Sequence, residues 1–169
     1  MDINRNNQYQ RMNAVAYAKK YALSPNPAYK YFKIINNRSG DCTNFTSQCL
    51  YAGNAPMSFN PRGPWWYNTR NHSWSLSWTI ANSLYWYLKT NQAKKSSGVK
   101  GLEVTDKKLL ELGDLIFYED YKRLIFHSAI ITSFNGSEPL VSQHSENAVD
   151  ILYKKPYESF RIHFVKIII

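Results

Sequence analysis

The spacing of apolar residues changes once along this chain of 169 residues, at Gly113. Before Gly113, apolar side chains recur every three or four residues, as in Met12, Val15, Ala18 and Ala22, a spacing that gives a helix one buried face. After Gly113, short runs rich in Ile, Phe, Val and Tyr alternate with turn residues, which is typical of β-strands. Helices followed by closely connected strands predict an α+β fold with an antiparallel sheet.

Individual elements follow from the same patterns. Helices are expected over residues 12–22, 41–53 and 75–90. Strands are expected over residues 115–118, 124–134, 140–145, 151–153 and 160–169. A Pro- and Trp-rich loop is expected over 56–72, and residues 92–101 (QAKKSSGVKG) are interpreted as an exposed linker. We therefore expect a single domain, residues 1–169, with its amino-terminal helices packed on the sheet.

The charge of the chain is uneven. Residues 1–113 hold 15 of the 21 basic and 5 of the 12 acidic side chains, and the net charge is +9. Such a distribution attracts anionic partners such as nucleic acid, an anionic cell wall or acidic substrates, or it serves only as a solvated surface. No apolar run approaches the about 18 residues of a membrane helix, and the polar start MDINRNNQYQRMN lacks the apolar segment of an export signal. We expect neither a membrane span nor a signal peptide, although a leader already removed would leave no trace.

Cys42 is placed at the predicted start of the second helix, directly after Asp41. Unpaired backbone N–H groups and the helix dipole there lower the pKa of a thiol below its usual value and favour the thiolate. Asp41 works against this, because an N-cap carboxylate stabilises the helix but adds negative charge beside the sulfur. Cys49 falls in mid-helix and is interpreted as a small buried apolar residue.

A disulfide between the two cysteines is excluded by the helix that separates them. Seven helical residues span about 10 Å, whereas bridged Cα atoms lie within about 7 Å. The same distance keeps the sulfurs of Cys42 and Cys49 from sharing one zinc ion. A metal site of Cys42 with two histidines remains an alternative, but no metal or phosphate-binding motif is present, so no cofactor is expected.

Two of the four histidines fall on neighbouring predicted strands. His127 begins the run HSAIIT and His144 lies in LVSQHS, whereas His72 and His163 are interpreted as solvated or structural. A nucleophilic cysteine needs a base, and the base needs an orienting group. Cys42 with His127 and His144 fits that requirement.

Four motifs in order carry a resemblance to a known family. They are DCTNF (41–45), GDLIF (113–117), HSAII (127–131) and VSQH (141–144). This order resembles the putative amidase domain family of Gram-positive bacteria, which is in turn similar to the NlpC-type and CHAP-type cell-wall cysteine peptidases with their reduced papain-like fold. The resemblance covers nearly the whole chain and implies Cys42 as nucleophile, His127 as base and His144 as third member. Thr43 and Asn44 depart from the Ser-Gly of the wall peptidases, which affects the expected substrate contacts.

The resemblance also implies a function. It is the hydrolysis of an amide bond in peptidoglycan stem peptides or related wall material, through attack by Cys42 and proton transfer by His127, without a cofactor. The backbone N–H of Cys42 is expected to hold the oxyanion. A secreted or cell-envelope location is implied in the same way.

Three residues are candidates for substrate binding. Asp41 is placed either to meet a substrate amine or only to cap the helix. Trp65 and Trp66, between Pro64 and polar residues, are predicted to line a groove for a sugar or peptide. Aromatic residues and positive charge also suit single-stranded nucleic acid. The alternatives are therefore a degenerate wall-binding module and a nucleic-acid-binding module, of which the latter is not favoured because no nucleic-acid fold signature occurs. The sequence predicts no oligomeric state.

The third member of the triad has two adjacent candidates. Side chains alternate along a strand, so Gln143 and His144 point to opposite faces and only one of them can reach His127. Gln143 offers an amide oxygen to the imidazole. The resemblance favours His144, and we expect it to orient His127.

Overall fold

The computed structural model describes residues 8–34, 40–155 and 157–169; the polar start of the chain, residues 1–7, lies outside them. Within these residues the α-helices are α1 Arg11–Tyr21, α2 Cys42–Ala52, α3 Leu76–Thr79 and α4 Ala81–Ala93. The strands are β1 Tyr67–Asn68, β2 Ser73–Trp74, β3 Lys100–Val104, β4 Leu115–Glu119, β5 Ile125–Asn135, β6 Glu138–Gln143, β7 Ala148–Leu152 and β8 Arg161–Ile168. The predicted α+β class is confirmed. No helix in this part of the chain is both long enough and apolar enough to cross a membrane.

The larger sheet has six strands in the order β3-β8-β4-β5-β6-β7, and β1 pairs with β2 separately. Each neighbouring pair in it is antiparallel. The central strand β4 is buried on both faces because its residues alternate between two apolar clusters. Leu115 and Phe117 join the cluster formed with the helices, and Ile116 and Tyr118 join the cluster on the opposite face.

Strand β3 begins inside the predicted exposed linker of residues 92–101, because Lys100 and Gly101 are its first two residues, and residues 92 and 93 belong to α4. Residues 100–104 pair with β8 at the edge of the sheet, and only the preceding residues form the connection from α4. A Cβ at Gly101 would lie 2.6 Å from Val165 Cγ1 and 2.8 Å from Leu88 Cβ, so glycine lets this strand lie close under α4. The charged and small residues around Gly101 concealed the strand because they resemble a loop in composition.

The predicted helix over 75–90 is two helices. Ile80 separates α3 from α4 with an extended backbone at φ −112° and ψ 122°. Thr79 and Ile80 are consecutive β-branched residues, whose restricted χ1 angles weaken a helix slightly. The break matters for the site, because both residues contribute to the cavity described below.

The Gly113–Asp114 motif has a structural role. Asp114 is fully buried and accepts hydrogen bonds from Arg11 Nη1 at 2.6 Å and from the backbone N–H of Ile167 at 2.9 Å. Gly113 precedes it with φ +82°, a conformation that glycine adopts without strain. Asp114 thereby joins α1 to the start of β4 and the end of β8.

Candidate active site

Cys42 is the first residue of α2, as the sequence predicted. Its side chain is 8% exposed and borders a cavity of about 740 Å³. The Sγ atom lies 3.6 Å from Thr43 Oγ1. Thr43 Oγ1 in turn lies 3.1 Å from Ser128 Oγ, which attaches the start of α2 to β5. Cys42 is therefore held at one end of a buried helix and still reaches an open space.

His127 lies on β5 beside Cys42 and is 2% exposed. Burial raises the pKa of the Cys42 thiol, but the charge of His127 and a hydrogen bond with it lower that pKa, as do hydrogen bonds with Thr43 and the Ser128 backbone. The net result is a pKa of about 7, below the ordinary value of 9.0. At this pKa a substantial fraction of the thiol is ionised near neutral pH, and the thiolate is the nucleophilic form of a cysteine.

Gln143 orients His127. Its Oε1 lies 2.8 Å from His127 Nε2, and its Nε2 donates to the carbonyl oxygen of Glu146 at 3.1 Å. The bond to Glu146 fixes which end of the amide faces the imidazole. Because the amide oxygen only accepts, His127 Nε2 carries the hydrogen, and Nδ1 is left for the thiol of Cys42.

The predicted hydrogen bond between His144 and His127 is wrong. His144 Nδ1 lies 2.5 Å from Asp41 Oδ2 and its Nε2 donates to the carbonyl oxygen of Tyr21 at 2.8 Å, so both ring nitrogens are bound elsewhere. The alternation of side chains along a strand explains the difference. Gln143 lies on the same face of the sheet as His127, and His144 lies on the opposite face. There the ring of His144 stacks on Phe45, with 4.1 Å between ring centroids.

Asp41 is a structural residue, which contradicts its predicted contact with a substrate amine. It is 1% exposed. Its Oδ1 accepts hydrogen bonds from the backbone N–H of Phe32 at 3.0 Å and from Asn44 Nδ2 at 2.8 Å, and its Oδ2 faces His144. It also makes no side-chain capping bond to α2. No oxygen atom of this carboxylate is available to a ligand.

Neither tryptophan of the predicted pair borders this cavity, and the prediction is wrong for Trp65, whose side chain is buried in the core. Trp65 is 0% exposed, donates from Nε1 to Ser47 Oγ at 3.1 Å and packs 4.9 Å from Trp78. Trp66 is half-buried and stacks on Phe59 outside the cavity. Turn-forming neighbours made the pair resemble a surface loop, but the backbone of Trp65 pairs with that of Ser58 in an isolated antiparallel bridge, and its side chain lies in the core. Apolar side chains from other segments border the cavity instead: Phe32, Ile34, Ile80, Ile125, Phe126 and Tyr157.

Ser145 and Tyr157 are site residues that the sequence did not reveal. Ser145 Oγ accepts hydrogen bonds from the backbone N–H groups of Asp41 at 2.7 Å and Cys42 at 3.2 Å. The N–H of Cys42, expected to hold an oxyanion, is therefore already bound. The Tyr157 ring lies 4.5 Å from that of His127, and its hydroxyl donates to the Ser145 carbonyl at 2.6 Å. No local pattern marks either residue, because both depend on tertiary contacts.

The remaining cysteine and histidines lie outside this arrangement. Cys49 is fully buried, burial raises the pKa of its thiol, and both cysteines are free. His72 is exposed and pairs with Tyr67, and His163 is buried between Glu103 and Glu119. Across residues 8–34, 40–155 and 157–169, no group of three or more His, Cys, Asp or Glu side chains is arranged to hold a metal ion.

Residues 8–165 match the family model described as a putative amidase domain. The chain belongs to this family. The family description indicates hydrolysis of amide bonds in general. Among curated relatives, the uncharacterized protein YhbB of Bacillus subtilis (strain 168) is 41% identical over 138 residues, which cover 80% of this chain and 41% of YhbB. The uncharacterized protein YjcM of the same organism is 32% identical over 152 residues, which cover 85% of this chain and 32% of YjcM.

The chain thus spans less than half the length of either relative. No solved structure matches it. In the described part of this amidase family member, Cys42, His127 and Gln143 form one connected arrangement beside the cavity.

Proposed function

We propose that this protein is a cysteine hydrolase that cleaves amide bonds, with Cys42 as nucleophile, His127 as acid and base, and Gln143 as the residue that orients His127. The observation that carries the proposal is the position of Cys42, which is the first residue of α2, borders the cavity and lies beside His127. The charge of His127 and its hydrogen bond, together with bonds from Thr43 and the Ser128 backbone, lower the pKa of the Cys42 thiol to about 7 in spite of burial. Cys49 provides a comparison within the same helix. It is buried in the core, and burial raises the pKa of its thiol above the ordinary value.

The proposed reaction has two stages. The Cys42 thiol gives its proton to His127 Nδ1, the sulfur bonds to the amide carbonyl carbon, and the carbonyl π electrons move to the oxygen. The oxyanion electrons then re-form the C=O bond as the C–N bond breaks, and the nitrogen leaves with that electron pair and takes the proton from His127. In the second stage water gives a proton to His127 and its oxygen bonds to the thioester carbon. The C=O bond forms again as the C–S bond breaks, the sulfur takes the proton from His127, and the acid is released.

The papain-like relationship is part of the proposal. Its support is the arrangement of a helix that carries the cysteine at its first residue, packed against an antiparallel strand that carries the histidine, with an amide side chain on the next strand. Gln143 fills here the orienting role that the sequence assigned to His144.

We further propose a wall peptide, such as a peptidoglycan stem peptide or related material, as the substrate. The cavity supports an apolar acyl group, because hydrophobic side chains form most of its wall. Among the described residues that border the cavity, Glu146 carries a negative charge, and there is neither a Lys nor an Arg. The excess of basic residues is therefore placed to attract an anionic wall over a distance rather than to bind the reacting group.

A non-catalytic wall-binding module and a nucleic-acid-binding module predict other results in one experiment. Purified peptidoglycan and isolated muropeptides are incubated with the wild-type protein and with Cys42→Ala, and the products are identified by mass. The proposal expects new amine and carboxylic acid termini with wild type and none with Cys42→Ala. Pelleting of both proteins with intact peptidoglycan and no products indicates a binding module, and a salt-dependent shift of an oligonucleotide without cleavage indicates the nucleic-acid alternative.

A further inference from the structure

The hydroxyl of Ser145 has an unusual set of partners. Its oxygen accepts hydrogen bonds from the two backbone N–H groups at the start of α2, those of Asp41 and Cys42. A serine hydroxyl has two acceptor positions and one donor hydrogen. Since both acceptor positions are occupied, the hydrogen points away from α2, and no described side chain or carbonyl accepts it. Ser145 is 5% exposed and borders the same cavity as Cys42.

The backbone around Ser145 is held in a conformation that residues other than glycine rarely adopt. Ser145 and Glu146 have φ values of 58° and 72°. The carbonyl of Ser145 accepts a hydrogen bond from Tyr157 Oη, and that of Glu146 accepts one from Gln143 Nε2. The residue that orients His127 therefore also fixes the turn that carries Ser145. Strained backbone held in this way is concentrated at functional sites.

Gly40 leaves the space that the hydroxyl occupies. A Cβ on Gly40 would lie 2.3 Å from Ser145 Oγ, and Gly40 has φ +145°. Glycine is thus required on two counts, for its conformation and for the room it leaves to Ser145. The position of the hydroxyl beside the nucleophile is built by residues from three separate parts of the chain.

We propose that Ser145 is the oxyanion donor of this site. When Cys42 sulfur bonds to the carbonyl carbon and the π electrons move to the oxygen, the Ser145 hydroxyl donates a hydrogen bond to that oxygen without transferring its proton. Accepting from two N–H groups at a helix start polarises the hydroxyl and makes it a stronger donor. The oxyanion therefore accepts its hydrogen bond from the Ser145 hydroxyl, which is polarised by the helix start, and not from the N–H of Cys42. The inference rests on the proposed cysteine mechanism.

A different reading of the same contacts is that Ser145 blocks the helix start and must leave before the oxyanion can bind there. The two readings predict opposite effects of removing the hydroxyl. Loss of an oxyanion donor slows acyl transfer by about 10²- to 10³-fold. Removal of a block leaves the rate unchanged or raises it.

The test uses Ser145→Gly and Ser145→Ala. Glycine adopts φ near +60° without strain, so Ser145→Gly keeps the turn while removing the hydroxyl. Ser142→Ala is the matched control. Ser142 lies on β6 and is buried, as Ser145 is, but its hydroxyl bonds to Thr132 and it does not border the cavity. Two probes are used, iodoacetamide and N-acetyl-phenylalaninal. Iodoacetamide alkylates the thiolate without forming an oxyanion, whereas the aldehyde adds to the thiolate and places negative charge on its oxygen.

We expect both Ser145 variants to bind the aldehyde about 10- to 100-fold more weakly than wild type does. Both variants should react with iodoacetamide at the wild-type rate. Ser142→Ala should match wild type with both probes. Aldehyde binding by either folded Ser145 variant as tight as that of wild type, or tighter, overturns the inference. If wild type forms no adduct with either probe at Cys42, the proposed function itself fails.

Discussion

Gln143 Oε1 lies 2.8 Å from His127 Nε2, and the adjacent His144 is bound instead to Asp41 and to the carbonyl oxygen of Tyr21. One residue of strand register therefore separates two roles. Gln143 fixes the tautomer of the proposed base, and His144 holds the carboxylate that joins the start of α2 to the Phe32 segment. Both residues are needed for the geometry of the site, but only one of them touches the base.

Gln143→Ala and His144→Ala should fail in different ways. Without its orienting amide, His127 loses a fixed tautomer, and we expect turnover to fall by about 10²- to 10⁴-fold. Because Gln143 is buried and also holds the Glu146 carbonyl, the same change should cost about 1–2 kcal/mol of stability, too little to account for that loss of turnover. His144→Ala removes a fully buried ring that stacks on Phe45 and leaves Asp41 Oδ2 and the Tyr21 carbonyl without their hydrogen-bond partner, and it should cost about 2–4 kcal/mol of stability. Turnover and thermal unfolding are measured for both variants. A folded His144→Ala with the turnover defect and a fully active Gln143→Ala would restore the original assignment.

The two cysteines should respond differently to removal. Cys42→Ala is expected to abolish hydrolysis and to keep the fold, because its side chain faces the cavity. Cys49 is fully buried in the apolar core, so Cys49→Ala should keep the activity of the folded protein and cost about 1 kcal/mol or more. Activity and denaturant unfolding are measured in parallel. Equal loss of activity in both variants without loss of stability would contradict the assignment.

The lowered thiol pKa predicts a pH dependence. The rate of alkylation by iodoacetamide should rise through a midpoint at about pH 7 and not at the ordinary 9.0. His127→Ala should move the midpoint upward, because burial then acts on the thiol without the opposing interaction. A midpoint that is the same in wild type and His127→Ala would show that His127 does not activate Cys42.

The same shift has a consequence for stability. A thiol whose pKa is lower in the folded state binds fewer protons there than in the unfolded chain between about pH 7 and pH 9. Cys42 should therefore contribute stability at high pH that is lost as the pH falls through about 7. The unfolding free energy of wild type relative to Cys42→Ala, measured across this range, should increase with pH. A difference that decreases with pH would contradict the shift.

The elements with long, regular apolar spacing were predictable from the sequence. The positions of α1, α2 and the strands β4 to β8, and Cys42 at the start of a helix, all follow from local periodicity. Strand β3 and the break at Ile80 did not, because each depends on what the segment packs against. The dependence on tertiary packing also explains which residues of the candidate site could be predicted. The position of His127 on a strand could be predicted from the sequence. The choice between Gln143 and His144 depends on one residue of strand register. The position of the Ser145 hydroxyl depends on a turn that the local sequence does not indicate.

The cavity wall predicts where substrate affinity arises. Phe126 borders the cavity and packs 5.6 Å from the Tyr157 ring, whereas Trp66 lies outside it. Phe126→Ala should raise KM for an apolar acyl substrate about tenfold with little change in kcat, since it removes apolar contact made equally in ground and transition states. Trp66→Ala, a comparable loss of an aromatic ring, is the control. A larger effect from Trp66→Ala would place the substrate in the groove first predicted from the sequence.

The central claim is that an acyl group passes through the sulfur of Cys42. Muropeptides are mixed with the protein, the reaction is stopped with acid within the first turnovers, and the protein is digested and analysed by mass. We expect a thioester of the stem-peptide acyl fragment on the peptide that contains Cys42, and neither the adduct nor cleavage with Cys42→Ala. Cleavage of the same bond by Cys42→Ala at the wild-type rate would contradict the account.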